Sequence, residues 1–213
     1  MCGRITQIWS EEQVAMKKIL HTVLQLSFKE YIQSWVELIY EFYQQGVCDE
    51  SLRRELDLKG DANLQFSLEY ATVLLQIAVL SFEAKPKLVT DKVKKKLLDQ
   101  IVEGTFRRTH ASDDNETLAV CVSFYQAKYQ TFSQVCKNLS STDEKKRQTD
   151  LVGFARYLVA QVSSRSEEDN IKAVEKLGIL LSMASDAYMK LLNSSAQDTG
   201  RLDGTCNFTV HKG

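Results

Sequence analysis

A chain of 213 residues, 44% hydrophobic and 26% charged, has the composition of one globular domain, which excludes a disordered or fibrous chain. Its 27 basic and 28 acidic groups leave a formal net charge of −1, no general reason to expect nucleic acid or an anionic membrane surface. The five cysteines, at 2, 48, 121, 136 and 206, include no CxxC pair, so they suit neither a disulfide framework nor a zinc site and read as reduced thiols.

One proline and nine glycines leave few breaks, which predicts long helices. Helix one begins at Ser10, with Gln13 completing a capping box and Trp9 and Val14 forming a hydrophobic staple. From Leu24, apolar residues Phe28, Tyr31, Ile32, Trp35, Ile39, Phe42 and Tyr43 recur at three and four, Gly46 is the stop, and a break falls near Gln25 to Ser27. A short amphipathic helix follows, capped by Asp49 or Ser51 and ended by Gly60.

Asp61 caps the most apolar helix, which runs to about Ala84 before Lys85-Pro86. Only Gln65, Glu69, Thr72, Gln76 and Glu83 make a polar line along it, the pattern of a helix covered on most sides. Its length admits a membrane span, but Glu69 and Gln76 near the centre argue for a core helix and against a span. Further helices are predicted from Asp91, capped by Thr90, to about Arg108, from a cap at Asp113 or Ser112 to about Leu139, from a capping box of Ser141 with Glu144 to about Val162, and from Glu167 to about Leu192. In the last of these, Ile171, Val174, Leu177, Leu181, Ala184, Tyr188 and Leu191 face inward.

The expected fold is all-α: a single-domain bundle of six main helices over residues 1–193, with sequential neighbours antiparallel. Residues 194–213 read as a flexible or partner-ordered tail, because the alternation Cys206 to Val210 has no evident strand partner in the chain. No signal-peptide pattern opens the sequence, which points to the cytoplasm, so the sequons at Asn115, Asn138, Asn193 and Asn207 are read as chance.

Met1-Cys2-Gly3-Arg4 resembles the opening of the SRAP family, whose members expose an N-terminal cysteine that links covalently to abasic DNA. The match covers four residues. That family's fold is β-rich and needs Asn, Glu and His partners that have no counterparts here, so Cys2 is read as an ordinary thiol and no catalytic residue is assigned. No Glu-x-x-His pair precedes His21, His110 or His211, and GxxxxGK[ST], GxGxxG, GxSxG and HExxH are all absent, so neither a metal nor a cofactor is called for. His21 reads as a structural histidine. His110 beside Asp113 and Asp114 reads as polar loop and helix cap.

Charge is distributed unevenly: residues 1–84 carry 7 basic and 12 acidic groups, whereas residues 85–110 carry 8 and 3. Lys92, Lys95, Lys96 and Arg107 share an outward face, with Asp99 and Glu103 at pairing distance on the same face. Three functional readings result. The leading one is a non-catalytic interaction protein (adaptor, regulator or assembly subunit) that meets a protein partner, a second copy of itself included, through that basic face. The alternative is a small-ligand-binding or sensor domain whose pocket lies between the first long helix and the central one, lined by Tyr31, Trp35, Glu69 and Gln76. Third is a cysteine-dependent enzyme, or one using His110 with Asp113.

Overall fold

The computed structural model of the chain describes residues 22–83, 91–135, 143–166, 168–197 and 207–212. The readings at Cys2, Ser10, His21, Pro86 and Cys136 lie outside these residues. The fold is an all-α bundle, as the helical periodicity predicts.

Ser27 opens the first described helix, α1 (Phe28–Val47), by a full capping box: the Glu30 amide donates to the Ser27 hydroxyl at 3.3 Å, and the Ser27 amide donates to the Glu30 carboxylate at 2.8 Å. The break expected near Gln25 to Ser27 is this cap. Gly46 does not stop the helix, which runs one residue further; a Cβ there would lie 2.2 Å from the Tyr70 ring, so the glycine lets the central helix approach. Asp49 caps the short α2 (Glu50–Glu55), accepting from the amides of Ser51 and Leu52. Gly60, at φ +51°, then turns the chain through the left-handed region that side chains disfavour.

The central helix α3 (Asp61–Glu83) is enclosed by five others, and every residue from Glu69 to Phe82 is buried. It is the one helix among the described residues long and apolar enough to cross a membrane by composition, and here it forms the core of the bundle. Next come α4 (Asp91–Phe106), α5 (Asn115–Val135), α6 (Glu144–Val162) and α7 (Ile171–Asn193). The first of these does not give way to a loop: Arg107–Ala111 continue it as a π-helical turn, which takes Thr109 and His110 out of the predicted loop. Two caps also differ from expectation. Asp114, one residue past the expected Asp113, caps α5, accepting from the Glu116 amide and the Thr117 hydroxyl; Asp143 caps α6, accepting from the amides of Lys145 and Lys146, while the expected Ser141 lies outside the described residues.

Helices α1 and α4 run alongside each other in the same direction, since Phe28 meets Lys96 and, eight residues on in both, Val36 meets Gly104. At the start of α1 a small antiparallel sheet joins segments from before α1 and after α7, in the order β1 (Thr22–Ser27), β3 (Asn207–Lys212), β2 (Ser195–Gln197). Leu24 pairs with Val210, and Val210 with Ser195. The alternation in the tail therefore has its partner within the chain. Its partner strand is hidden in the sequence, because Leu24 also opens the helical apolar stripe, although Leu24 and Leu26 alternate with Gln25 and Ser27.

Candidate partner-binding grooves

Polar residues on a covered helix need partners, so the polar line of α3 comes first. Glu69, only 2% exposed, accepts from Lys128 Nζ of α5 at 2.9 Å and from the Tyr157 hydroxyl of α6 at 3.1 Å, and Lys128 also bonds Tyr157 at 2.5 Å. Burial opposes the Lys128 charge, but its bonds to Tyr157 and Glu69 prevail and hold its pKa above the ordinary value. The triad ties three helices together and gives each oxygen of the Glu69 carboxylate a donor from within the chain. Two turns further along α3, Gln76 is fully buried and neither its amide nitrogen nor its oxygen has a hydrogen-bond partner.

Tyr31 and Trp35 belong to the aromatic core. The Trp35 ring lies 4.7 Å from Phe82 and 5.6 Å from Tyr188, centroid to centroid, and Tyr31 meets it edge-on. Burial raises the Tyr31 phenol, against its contacts with Ser195 and Trp35. The four residues of the expected pocket are thus divided between a packed aromatic side and a polar side of α3.

His110 sits half-buried between the rings of Tyr43 and Phe106, with Nε2 3.1 Å from the Ser67 hydroxyl and Nδ1 2.7 Å from that of Thr109. Burial lowers its pKa. Ser67 and Thr109 each donate their own proton to a helix carbonyl, of Leu64 and Thr105, so neither hydroxyl is held as a nucleophile toward the ring. Asp114 caps α5 instead of facing His110, and Asp113 is exposed. Of the two described cysteines without a disulfide, Cys48 is exposed and Cys121 buried, the latter with its thiol pKa raised by burial. Among the described residues no three His, Cys, Asp or Glu side chains gather as metal ligands would.

The basic face is divided. Arg107 bonds Glu103 one turn back at 3.1 Å and reaches forward to Asn115 at 3.0 Å, fastening the π turn to α5. Lys96 lies over the Phe28 ring at 5.3 Å. Lys95 alone of the expected set lines an opening, and the Lys92 side chain is outside the described residues.

That opening is a groove of about 940 Å³ between α4 and α5. Its apolar lining is Val79 of α3, Leu98 and Val102 of α4, and Leu118, Val122 and Tyr125 of α5. Along the α4 rim stand Asp91, Lys94, Lys95, Asp99 and Glu103; the α5 rim offers Asn115, Gln126 and Tyr129. A second groove of about 750 Å³ lies between α6 and α7, lined by Val152, Val174, Gly178, Ile179 and Met183, with Arg156 and Glu175 at its edges. None of Tyr31, Trp35, Glu69 and Gln76 lines either groove. The sequence did hold a signal for the second: α7 carries apolar residues on more of its circumference than one buried stripe needs. Ile171, expected inward, is 50% exposed; the inward residues of this helix begin at Ala173 and Val174.

No protein-family profile matches the chain, and neither a curated protein nor a solved structure is significantly similar to it.

Proposed function

We propose that this is a non-catalytic interaction protein which takes an amphipathic helix of a protein partner into the α4–α5 groove. The observation that carries the reading is the shape and chemistry of that groove. From Asp91 to Glu103 its rim spans thirteen residues of helix, about 18 Å or three turns, the length over which one face of a docked helix makes its contacts. Its floor is apolar and its α4 rim is charged, acidic at Asp91, basic at Lys94 and Lys95 and acidic again at Asp99 and Glu103. A partner helix with basic, acidic and basic positions in the complementary order fits that rim.

The test is a photo-crosslinking residue at Gln126, with the adduct mapped by mass spectrometry. The expected adduct is a peptide with apolar residues three and four apart; Ala119 of α5 lines the groove and is exposed, so Ala119→Arg blocks the groove and removes the adduct. Adducts indifferent to Ala119→Arg, or none, overturn the reading. A second reading, a small-ligand domain, has one observation in its favour: the unpartnered amide of the buried Gln76. Native mass spectrometry of the purified protein decides it, since a bound small molecule lost in Gln76→Leu supports that reading against the first.

A further inference from the structure

We propose that His110 is a proton-operated latch: neutral, it joins α3 to the π turn Arg107–Ala111 through Ser67 and Thr109, and protonated, it leaves its pocket and frees that turn. Neither groove enters into it.

The partners of the ring depend on how many protons it carries. His110 Nδ1 lies 2.7 Å from the Thr109 hydroxyl, and Nε2 lies 3.1 Å from that of Ser67. Each hydroxyl is also 2.8 Å from a helix carbonyl, Thr105 for Thr109 and Leu64 for Ser67, and a carbonyl only accepts. With both hydroxyl protons on carbonyls, both ring nitrogens must donate, which only the imidazolium can do. A neutral ring has one proton, so one hydroxyl must turn from its carbonyl to the bare nitrogen. Thr109 is the one that turns: an O–H donor makes the shorter bond and an N–H donor the longer, matching 2.7 Å at Nδ1 and 3.1 Å at Nε2. The neutral ring therefore donates from Nε2 to Ser67 of α3 and accepts at Nδ1 from Thr109 of its own turn.

The pocket suits the neutral form. Tyr43 of α1 and Phe106 of α4 flank the ring at 5.6 and 6.1 Å between centroids, and α3 presents the uncharged Ser67. Tyr43 is the titratable group that faces it, a phenol raised by burial, with Tyr40 and Cys48 behind it. The charged residues around the turn supply no counter-ion. Arg107 and Arg108 precede His110 in the same turn; Glu103 is bonded to Arg107, Glu37 of α1 lies 3.7 Å from Arg108, and Asp114 caps α5. Burial thus holds the imidazole below its ordinary 6.5. The closed latch binds the proton more weakly than the open one, so acid opens it as pH falls below 6.5. Arg107 of the same turn donates to Asn115 at the start of α5 at 3.0 Å, so the latch also secures the junction of α4 with α5.

NMR of the full chain with 15N-labelled histidine, together with hydrogen exchange of the backbone amides between pH 8 and 5, tests the latch. At pH 8 the His110 ring is expected as one tautomer, with its proton on Nε2. Below pH 6.5 the protection of amides 107–111 should fall relative to the centre of α3, by up to about tenfold per pH unit until the ring itself titrates. His110→Gln, which keeps a donor and an acceptor, should abolish that pH dependence. Thr109→Val should lower the protection already at pH 8, and Thr109→Ser, which keeps the hydroxyl, should restore it. A neutral ring with its proton on Nδ1 overturns the proposal, as does a ring that titrates at or above 6.5. So does π-turn protection indifferent to pH, a pH dependence that survives His110→Gln, or a Thr109→Ser variant no better than Thr109→Val.

Discussion

The two sides of the central helix are held by different physics. Toward α1 and α7 the contacts are rings: Phe82 of the central helix lies on Trp35 of α1, which is backed by Tyr188 of α7, and Tyr188 in turn meets Phe42 of α1. Toward α5 and α6 the principal tie is the Glu69, Lys128 and Tyr157 triad, with the unpartnered Gln76 two turns away. The ring side is indifferent to which apolar residues fill it so long as shape is kept, whereas the charged side depends on every member of its network. One helix thus combines a side tolerant of substitution with a side that is not.

Trp35→Ala and Lys128→Met should have the largest effects, and comparing them breaks or confirms the contrast. Trp35→Ala empties a fully buried ring position and should cost about 3–5 kcal/mol in urea unfolding, at any pH between 5 and 8. Lys128→Met leaves Glu69 charged and buried without its cation, and should cost about as much, roughly 3–5 kcal/mol, near neutral pH. A Lys128→Met loss no larger than that of an exposed ion pair would mean that the triad is not what holds this side.

Gln76 sharpens the contrast from the other direction. Its amide has lost water and gained no partner, a desolvation of about 1–3 kcal/mol. Gln76→Leu, similar in volume, should therefore raise stability by up to that amount, with a higher midpoint and an unchanged denaturant slope. A destabilised Gln76→Leu would show that the amide is satisfied in solution.

The ring side was legible in the sequence and the charged side was not, for a physical reason. Trp35, Phe42 and Tyr188 fall on apolar stripes, and a stripe predicts burial whatever it meets. Glu69 was seen as a polar position on a covered helix, but its partners lie 59 and 88 residues away. Nothing local in Lys128 or Tyr157 says that they converge on it. The sheet was half legible: the Cys206 to Val210 alternation gave one strand, while its partner, Thr22–Ser27, was hidden in a stretch read as helix. Gly46 is the same lesson at one residue. Its place near a helix end suggested a stop, and only the Tyr70 ring against it shows what the missing side chain is for.

The smallest effect is expected where charge lies at the rim of the bundle. Asp49 caps α2 and also meets Lys176 of α7 at 2.6 Å. Burial alone would raise its carboxyl; Lys176, the Leu52 amide and the Ser51 hydroxyl prevail and hold it at about 2. Since the folded pKa lies below the ordinary 3.8, the stability this adds is present above that value and is lost as pH falls toward 2. Lys176 is about a third exposed, so water and salt screen the pair, and Lys176→Met should cost only about 0.2–1 kcal/mol at neutral pH. Asp49→Asn keeps a capping oxygen and should lose a similar amount; Asp49→Ala removes the cap as well and should lose about 1 kcal/mol more. If Lys176→Met instead approached the Lys128→Met loss, exposure would not be what separates the two ion pairs. The division between a buried charged side and a solvated rim would then fail.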